Sequence, residues 1–206
     1  MNDSPASALD IGACLNDAIE VYKRNWIVLA VCALLFDLLT TFTLGILAGP
    51  LIAGWCHLTL KAFAHPDRRA EVGDLFSAMH PFGRRVGLFF AYAFLTILSF
   101  LCLVIPVFIT TTFFFYAFLL SYDRDLGVVD SLKKSFRVVQ QRGFGPHLLL
   151  NVILLALTLA PLAMAPFSLL IGIFLLPLAI LIETAAYIRV VRQDQGSLAG
   201  VLGPAS

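Results

Sequence analysis

Three long apolar blocks, residues 26–63, 86–121 and 144–191, alternate with short polar segments along this chain. A helix needs roughly 20 apolar residues to cross the hydrocarbon core of a bilayer, and a tight helical hairpin about twice that. The first block is long enough for two slightly short helices, with Gly45, Gly49 and Pro50 supplying the turn. The second divides near Ile105 and Pro106 into VGLFFAYAFLTILSFLCLVIP and VFITTTFFFYAFLLS. The third is the longest and is punctuated at Pro161 and Pro166, so full-length helices are expected on either side of PLAMAP, with a kink at Pro177 in the last. The expectation is an all-α polytopic membrane protein with six transmembrane helices arranged as three hairpins.

A second pattern precedes each block. Ile11, Leu15, Ile19 and Tyr22 share one helical face, with Asp17, Glu20, Lys23 and Arg24 outside it. Val72, Leu75, Phe76 and Met79 repeat the arrangement ahead of Arg84 and Arg85, and Val129, Leu132, Phe136 and Val139 repeat it again. This 3.6-residue spacing is that of an amphipathic helix lying in the membrane interface. The stretches CLNDAIEVYKRNW and SLKKSFRVVQQRGF can be laid over one another without a gap for most of their length. The pattern therefore allows a threefold internal repeat, 10–63, 71–121 and 127–192, of an interfacial helix followed by a hairpin. A pseudo-threefold bundle would result, within a single transmembrane domain spanning 1–206 and ending in a flexible cytoplasmic tail, 193–206.

Charge adds orientation. All 14 Lys and Arg residues lie before the first block, between blocks, or at the ends of the even-numbered helices, as Lys61, Arg189 and Arg192 do. The expected hairpin turns carry none. The positive-inside rule then puts this end, and both termini, in the cytoplasm. With 60% hydrophobic residues, 13% charged residues and a mean hydropathy of +0.91, the chain is too apolar for a water-soluble globule. A net charge of only +1 gives nucleic acid no footprint. Residues 1–10 have no basic n-region and no apolar core, so no cleaved signal peptide is expected and the mature chain would begin at its first residues.

Of the 13 acidic residues, Asp37 and Glu183 alone sit inside apolar stretches. Asp37 lies eleven residues into the first expected span, roughly 16 Å along the helix, near the bilayer midplane. A charge there costs at least ~2.5–3.5 kcal/mol, which marks the residue either as functional or as a packing device bonded to Thr40, Thr41 or another helix. Glu183 lies six residues before Arg189, where water or an arginine would relieve its cost. His57, Thr112 and Glu183 each follow a proline by six or seven residues, so a true repeat could bring them together on the bundle axis. Asn151 in the fifth span reads as interhelical glue or as a further polar candidate. Lys133, Lys134, Arg137 and Arg142 cluster beside apolar residues where each charge is worth about 1 kcal/mol of attraction to an anionic leaflet. They serve as plain anchoring or as a lipid head-group site.

Gly45 to Gly49 has GxxxG spacing but lies at an expected turn, where backbone freedom is its expected use. Cys14, Cys32, Cys56 and Cys102 are widely spaced, with no CxxC pair, and neither a disulfide framework nor a metal site is expected. No GxSxG, HExxH or phosphate-loop motif embeds the polar residues, so no catalytic residue and no cofactor is expected.

The segments ALDIGACLNDAIEVYKRNW, LAGPLIAGW, VIPVF, SLKKSFRVV and PLAILIETAAYIRVV, in this order over residues 10–192, resemble a broad group of uncharacterised bacterial inner-membrane proteins. That group includes the membrane domain fused to some glycerophosphodiester phosphodiesterases. The resemblance implies a six-helix module of the bacterial cytoplasmic membrane. It also implies that catalysis in the fused relatives resides in a separate soluble barrel with no counterpart in these residues, so no catalytic residue is expected to carry over.

The functional expectation is a non-catalytic membrane module that binds lipid or another membrane protein, its own copy included. A small transporter whose polar cavity is lined by Asp37, His57 and Glu183 is the alternative, and an intramembrane lipid enzyme a third.

Overall fold

The computed structural model describes residues 9–102, 104–161 and 168–192. Residues 1–8, most of the expected PLAMAP turn, the Cys102 side chain and the tail 193–206 lie outside the described residues. Among those described there are helices and turns and no strand.

Helix α1 runs unbroken from Ile11 to Phe42, opened by the Asp10 carboxylate, which accepts the Ala13 N–H at 3.0 Å. The expected boundary between an interfacial helix and a span, near Trp26, is absent. Buried Cys14, Ala18, Val21, Asn25, Leu29 and Cys32 form one stripe that continues through Trp26, and no proline interrupts it. This face packs chiefly on α9, and near Trp26 it is pinned by Asn25, which accepts the Ala70 N–H at 3.0 Å.

The chain reverses at Leu44 (φ 51°) and Gly45 (φ 83°) into α2, Ala48–Ala64, with Pro50 in the first turn, where its missing N–H costs nothing. Gly45 is thus the turn residue, whereas Gly49 has a different use. A Cβ on Gly49 would lie 2.3 Å from the Arg85 carbonyl oxygen, and one on Gly54 would lie 1.7 Å from that of Leu75. Backbone meets backbone at both places, which a side chain of any size would prevent.

The second expected interfacial helix is reduced to a single turn, α3, Asp74–Ser77. Next come α4, Phe82–Cys102, and α5, Val104–Phe113. A break at 114–116 leads to α6, Ala117–Asp123. Ser135 from the next helix occupies that break: its hydroxyl donates to the Phe113 carbonyl at 2.8 Å and accepts the Tyr116 N–H at 3.1 Å. The side chain substitutes for the ladder bonds it interrupts.

The third amphipathic segment forms a separate helix as expected, α7, Val128–Arg142, which meets α8, Phe144–Leu159, at 115°. The corner is Gly143, at φ 96°. Helix α9, Ser168–Tyr187, continues through Pro177 and ends in a π-helical turn, Ile188–Arg192.

Among the described residues, Ile11–Phe42, Phe82–Leu101 and Leu170–Arg192 are long and apolar enough to cross a membrane, and the bent α7–α8 pair makes a fourth if counted as one span. The 17 residues of α2 and the 16 of α8 rise only about 24–26 Å against a core of about 30 Å. Large apolar side chains face outward, among them Phe94, Ile97, Phe100 and Leu101 on α4. Such a surface suits lipid and is a liability in water. The long helices neighbour one another in a closed circuit, α1 on α2, α2 on α4, α4 on α5, α5 on α8, α8 on α9, and α9 back on α1. Helix α2 also meets α6 and α9.

Candidate functional site

A cavity of about 400 Å³ lies among α1, α2, α4, α5, α6, α8 and α9. Its walls are mostly aromatic and aliphatic, with Phe36, Trp55, Tyr92, Phe115 and Phe118 among them. The polar groups are few: Glu183 and Thr184 on α9, Asn151 and Thr158 on α8, and Thr111 on α5, with the Tyr92 phenol.

Most of these are already bonded. Asn151 Nδ2 donates to Thr111 Oγ1 at 2.8 Å and to Thr112 Oγ1 at 3.0 Å, tying α8 to α5. Thr184 donates to Thr59 Oγ1 at 2.9 Å, and Thr59 donates to the Trp55 carbonyl at 2.9 Å, tying α9 to α2. Thr158 donates to the Leu154 carbonyl at 2.9 Å. Glu183 differs. No hydrogen bond or ion pair reaches it among the described residues, and no Lys, Arg or His lines the cavity. It is half-buried, and its open surface faces the cavity.

The three residues of the transport expectation do not share this cavity. Phe36 and Cys56 line it, while Asp37 and His57 do not. Successive residues on a helix point about 100° apart, so the cavity face of α1 and α2 takes the neighbour of each polar residue. Asp37 is half-buried on α1, with no hydrogen bond or ion pair among the described residues. Thr112 serves Asn151. Glu183 and Asn151 are the two sequence candidates that the fold brings together.

His57 belongs to a second cluster, nearer the charged end of the bundle. Its Nδ1 bonds the Tyr122 hydroxyl, and its Nε2 lies 3.8 Å from Asp74. Asp74 Oδ1 accepts from Lys61 Nζ at 2.6 Å and Oδ2 accepts the Glu71 N–H at 3.1 Å. Burial would raise this carboxyl, but those two hydrogen bonds and the Lys61 charge win and hold it below the usual carboxylate range. Arg85 is only 4% exposed, sits over the Tyr122 ring, and donates to Ser121 Oγ at 3.0 Å. In the sequence Arg85 reads as a boundary charge, and nothing in its neighbourhood distinguishes it from Arg84.

Ion pairs tie the same end together. Arg189 holds Asp17 at 2.6 Å, Lys61 holds Asp74, and Asp123 pairs with Arg192 while accepting from the Tyr187 hydroxyl at 2.6 Å. On α7, Lys133 and Arg137 are exposed and Lys134 and Arg142 half-buried, while Ser131, Ser135, Val138 and Val139 face the core. Cys14, Cys32 and Cys56 are buried free thiols.

Comparison with protein-family models, with curated proteins and with solved structures returns no match.

Proposed function

We propose that this chain is a non-catalytic module of the bacterial cytoplasmic membrane that takes a lipid or a comparably apolar molecule into the cavity beside Glu183. The observation that carries the reading is the cavity itself, whose roughly 400 Å³ and mostly apolar walls fall within the usual range of small-molecule sites. The exposed Lys133 and Arg137 of α7 rest on the anionic cytoplasmic leaflet, with both termini on that side. In this reading all six long apolar segments cross the bilayer as three hairpins, the short ones by local thinning or tilt of their neighbours.

Two observations favour the threefold arrangement. The closed circuit of helix neighbours takes the three helix pairs in chain order, two helices to each, and ion pairs join the first unit to the second (Lys61–Asp74) and the third to the first (Arg189–Asp17). The likeness to the membrane domain of glycerophosphodiester phosphodiesterases is part of the same proposal.

The test is lipid retention on purification, followed by native mass spectrometry. Ala179 lines the cavity and is nearly fully buried, so Ala179→Trp fills it and abolishes retention of the bound molecule. Lys133→Ala with Arg137→Ala lowers retention of phosphatidylglycerol alone. Unchanged retention in Ala179→Trp, with the fold intact, sinks the reading. A transport reading is favoured only by Glu183 facing the void, and it requires solute flux that Glu183→Gln abolishes.

A further inference from the structure

We propose that the cavity selects lipophilic cations, molecules with an apolar body and one positive charge, with Glu183 as the group that recognises the charge. This inference rests on the cavity being a binding site and adds the chemistry of what it takes.

Three observations converge on it. First, Glu183 is the acidic side chain on the wall of a site that offers it no cation. The basic residues near that end are committed elsewhere: Lys61 to Asp74, Arg189 to Asp17, Arg192 to Asp123, and Arg85 to Ser121 and the Tyr122 ring. A carboxylate among apolar walls is costly unless something pairs with it, and a ligand that carries its own charge supplies the partner.

Second, the walls suit a cation as well as an apolar body. Phe36, Trp55, Tyr92, Phe114, Phe115 and Phe118 come from α1, α2, α4 and the α5–α6 region, so aromatic rings surround the void from several directions. The negative face of an aromatic ring attracts a cation, and more strongly where water is excluded. An anion would meet the same rings and the same carboxylate unfavourably, with no basic residue on the lining to offset them.

Third, the amide hydrogens and threonine hydroxyls of the wall are spent on the frame, which leaves Glu183 as its charged group beside the unpartnered Trp55 Nε1–H, a neutral donor. Asn151 spends its amide hydrogens on Thr111 and Thr112, Thr184 donates to Thr59, and Thr158 donates to its own helix. These bonds fix the frame of the cavity. Glu183 is held only by its place on α9, between buried Ile182 and Thr184, and its position is therefore set without its carboxylate being consumed.

The test uses two ions of nearly equal size and opposite sign, tetraphenylphosphonium and tetraphenylborate, measured by equilibrium dialysis with the full chain in lipid nanodiscs, empty discs being subtracted. Wild-type protein is expected to bind the phosphonium at least tenfold more tightly than the borate. Glu183→Gln is expected to lose at least tenfold in phosphonium affinity with no loss for the borate, and Asp37→Asn, a carboxylate off the cavity, to leave both unchanged. Equal binding of the two ions by the wild type overturns the inference, as does an undiminished phosphonium affinity in Glu183→Gln. Should Glu183→Gln fail to fold, the wild-type sign preference and its loss in Ala179→Trp decide the matter. If neither ion binds while Ala179→Trp still abolishes lipid retention, the cation inference falls and the lipid-binding reading stands; if retention is also insensitive, both fall.

Discussion

Helix α1 and the α7–α8 pair begin alike and end differently. At a constant offset, buried Cys14, Ala18 and Val21 fall on buried Ser131, Ser135 and Val138, each set spaced as one face of a helix. Helix α1 then continues unbroken to Phe42, its buried stripe reaching Ala33, and α7 stops at a 115° corner. The same offset places Trp26 opposite Gly143. A φ of 96° is open to glycine and strained for tryptophan, so the corner is available to one chain segment only. The packing around each segment differs: α1 packs chiefly on α9, whereas α7 lies against the α5–α6 break, into which Ser135 inserts. Amphipathic spacing predicts that a segment is helical; the residue after it, and the neighbour waiting for it, decide whether it turns a corner or continues unbroken.

The comparison breaks most sharply at the corner. Gly143→Leu is expected to lower stability by about 2–3 kcal/mol, since it forces a side chain into a strained backbone region. Thermal unfolding in detergent reads the loss, and spin labels at Lys133 and Leu149, both exposed, report any opening of the angle. Ser135→Ala leaves the Tyr116 N–H and the Phe113 carbonyl without their partner and is expected to cost about 1–2 kcal/mol. The matching residue of α1 is already Ala18, and the helix is unbroken there. Trp26→Gly is expected to cost about 1 kcal/mol by helix propensity while leaving α1 straight, as judged from the distance between labels at Ile19 and Leu38. A bend there would mean that glycine alone sets the corner and that packing on α9 is secondary.

The segment between α2 and α4 supplies the smallest test. It is a single turn held by Asp74, whose carboxyl burial would raise but Lys61 and the Glu71 N–H depress. A depressed carboxylate contributes stability that is complete above its unfolded pKa of about 3.9 and is lost as pH falls through the folded value. Asp74→Asn should therefore trail the wild type by about 0.5–1 kcal/mol at neutral pH, with the gap closing below about pH 4. A gap that stays constant through that range would assign the effect to packing.

Much of the architecture is legible along the chain. The long apolar runs, the turn at Gly45, the corner after Arg142 and the gathering of charge at one end each arise from a local signal: run length, positive φ at glycine, or the distribution of Lys and Arg. The site is legible only in part. Glu183 and Asn151 announce themselves as polar residues in apolar surroundings, but so do Asp37 and His57, and the sequence contains nothing to say that Phe36 and Cys56 take the cavity face instead. Arg85 reads as a boundary charge because its burial depends on helices far away in sequence.

By itself, then, the order of residues determined where the chain is oily, where it is charged and which backbone positions permit a turn, because these depend on each residue and its near neighbours. Tertiary structure decided that α1 would not bend at Trp26, that glycines at 49 and 54 would serve backbone contact, and that one carboxylate of two would face a void. Those outcomes turn on which helix faces meet across the bundle, and rotating a helix by one residue, about 100°, is enough to reverse them.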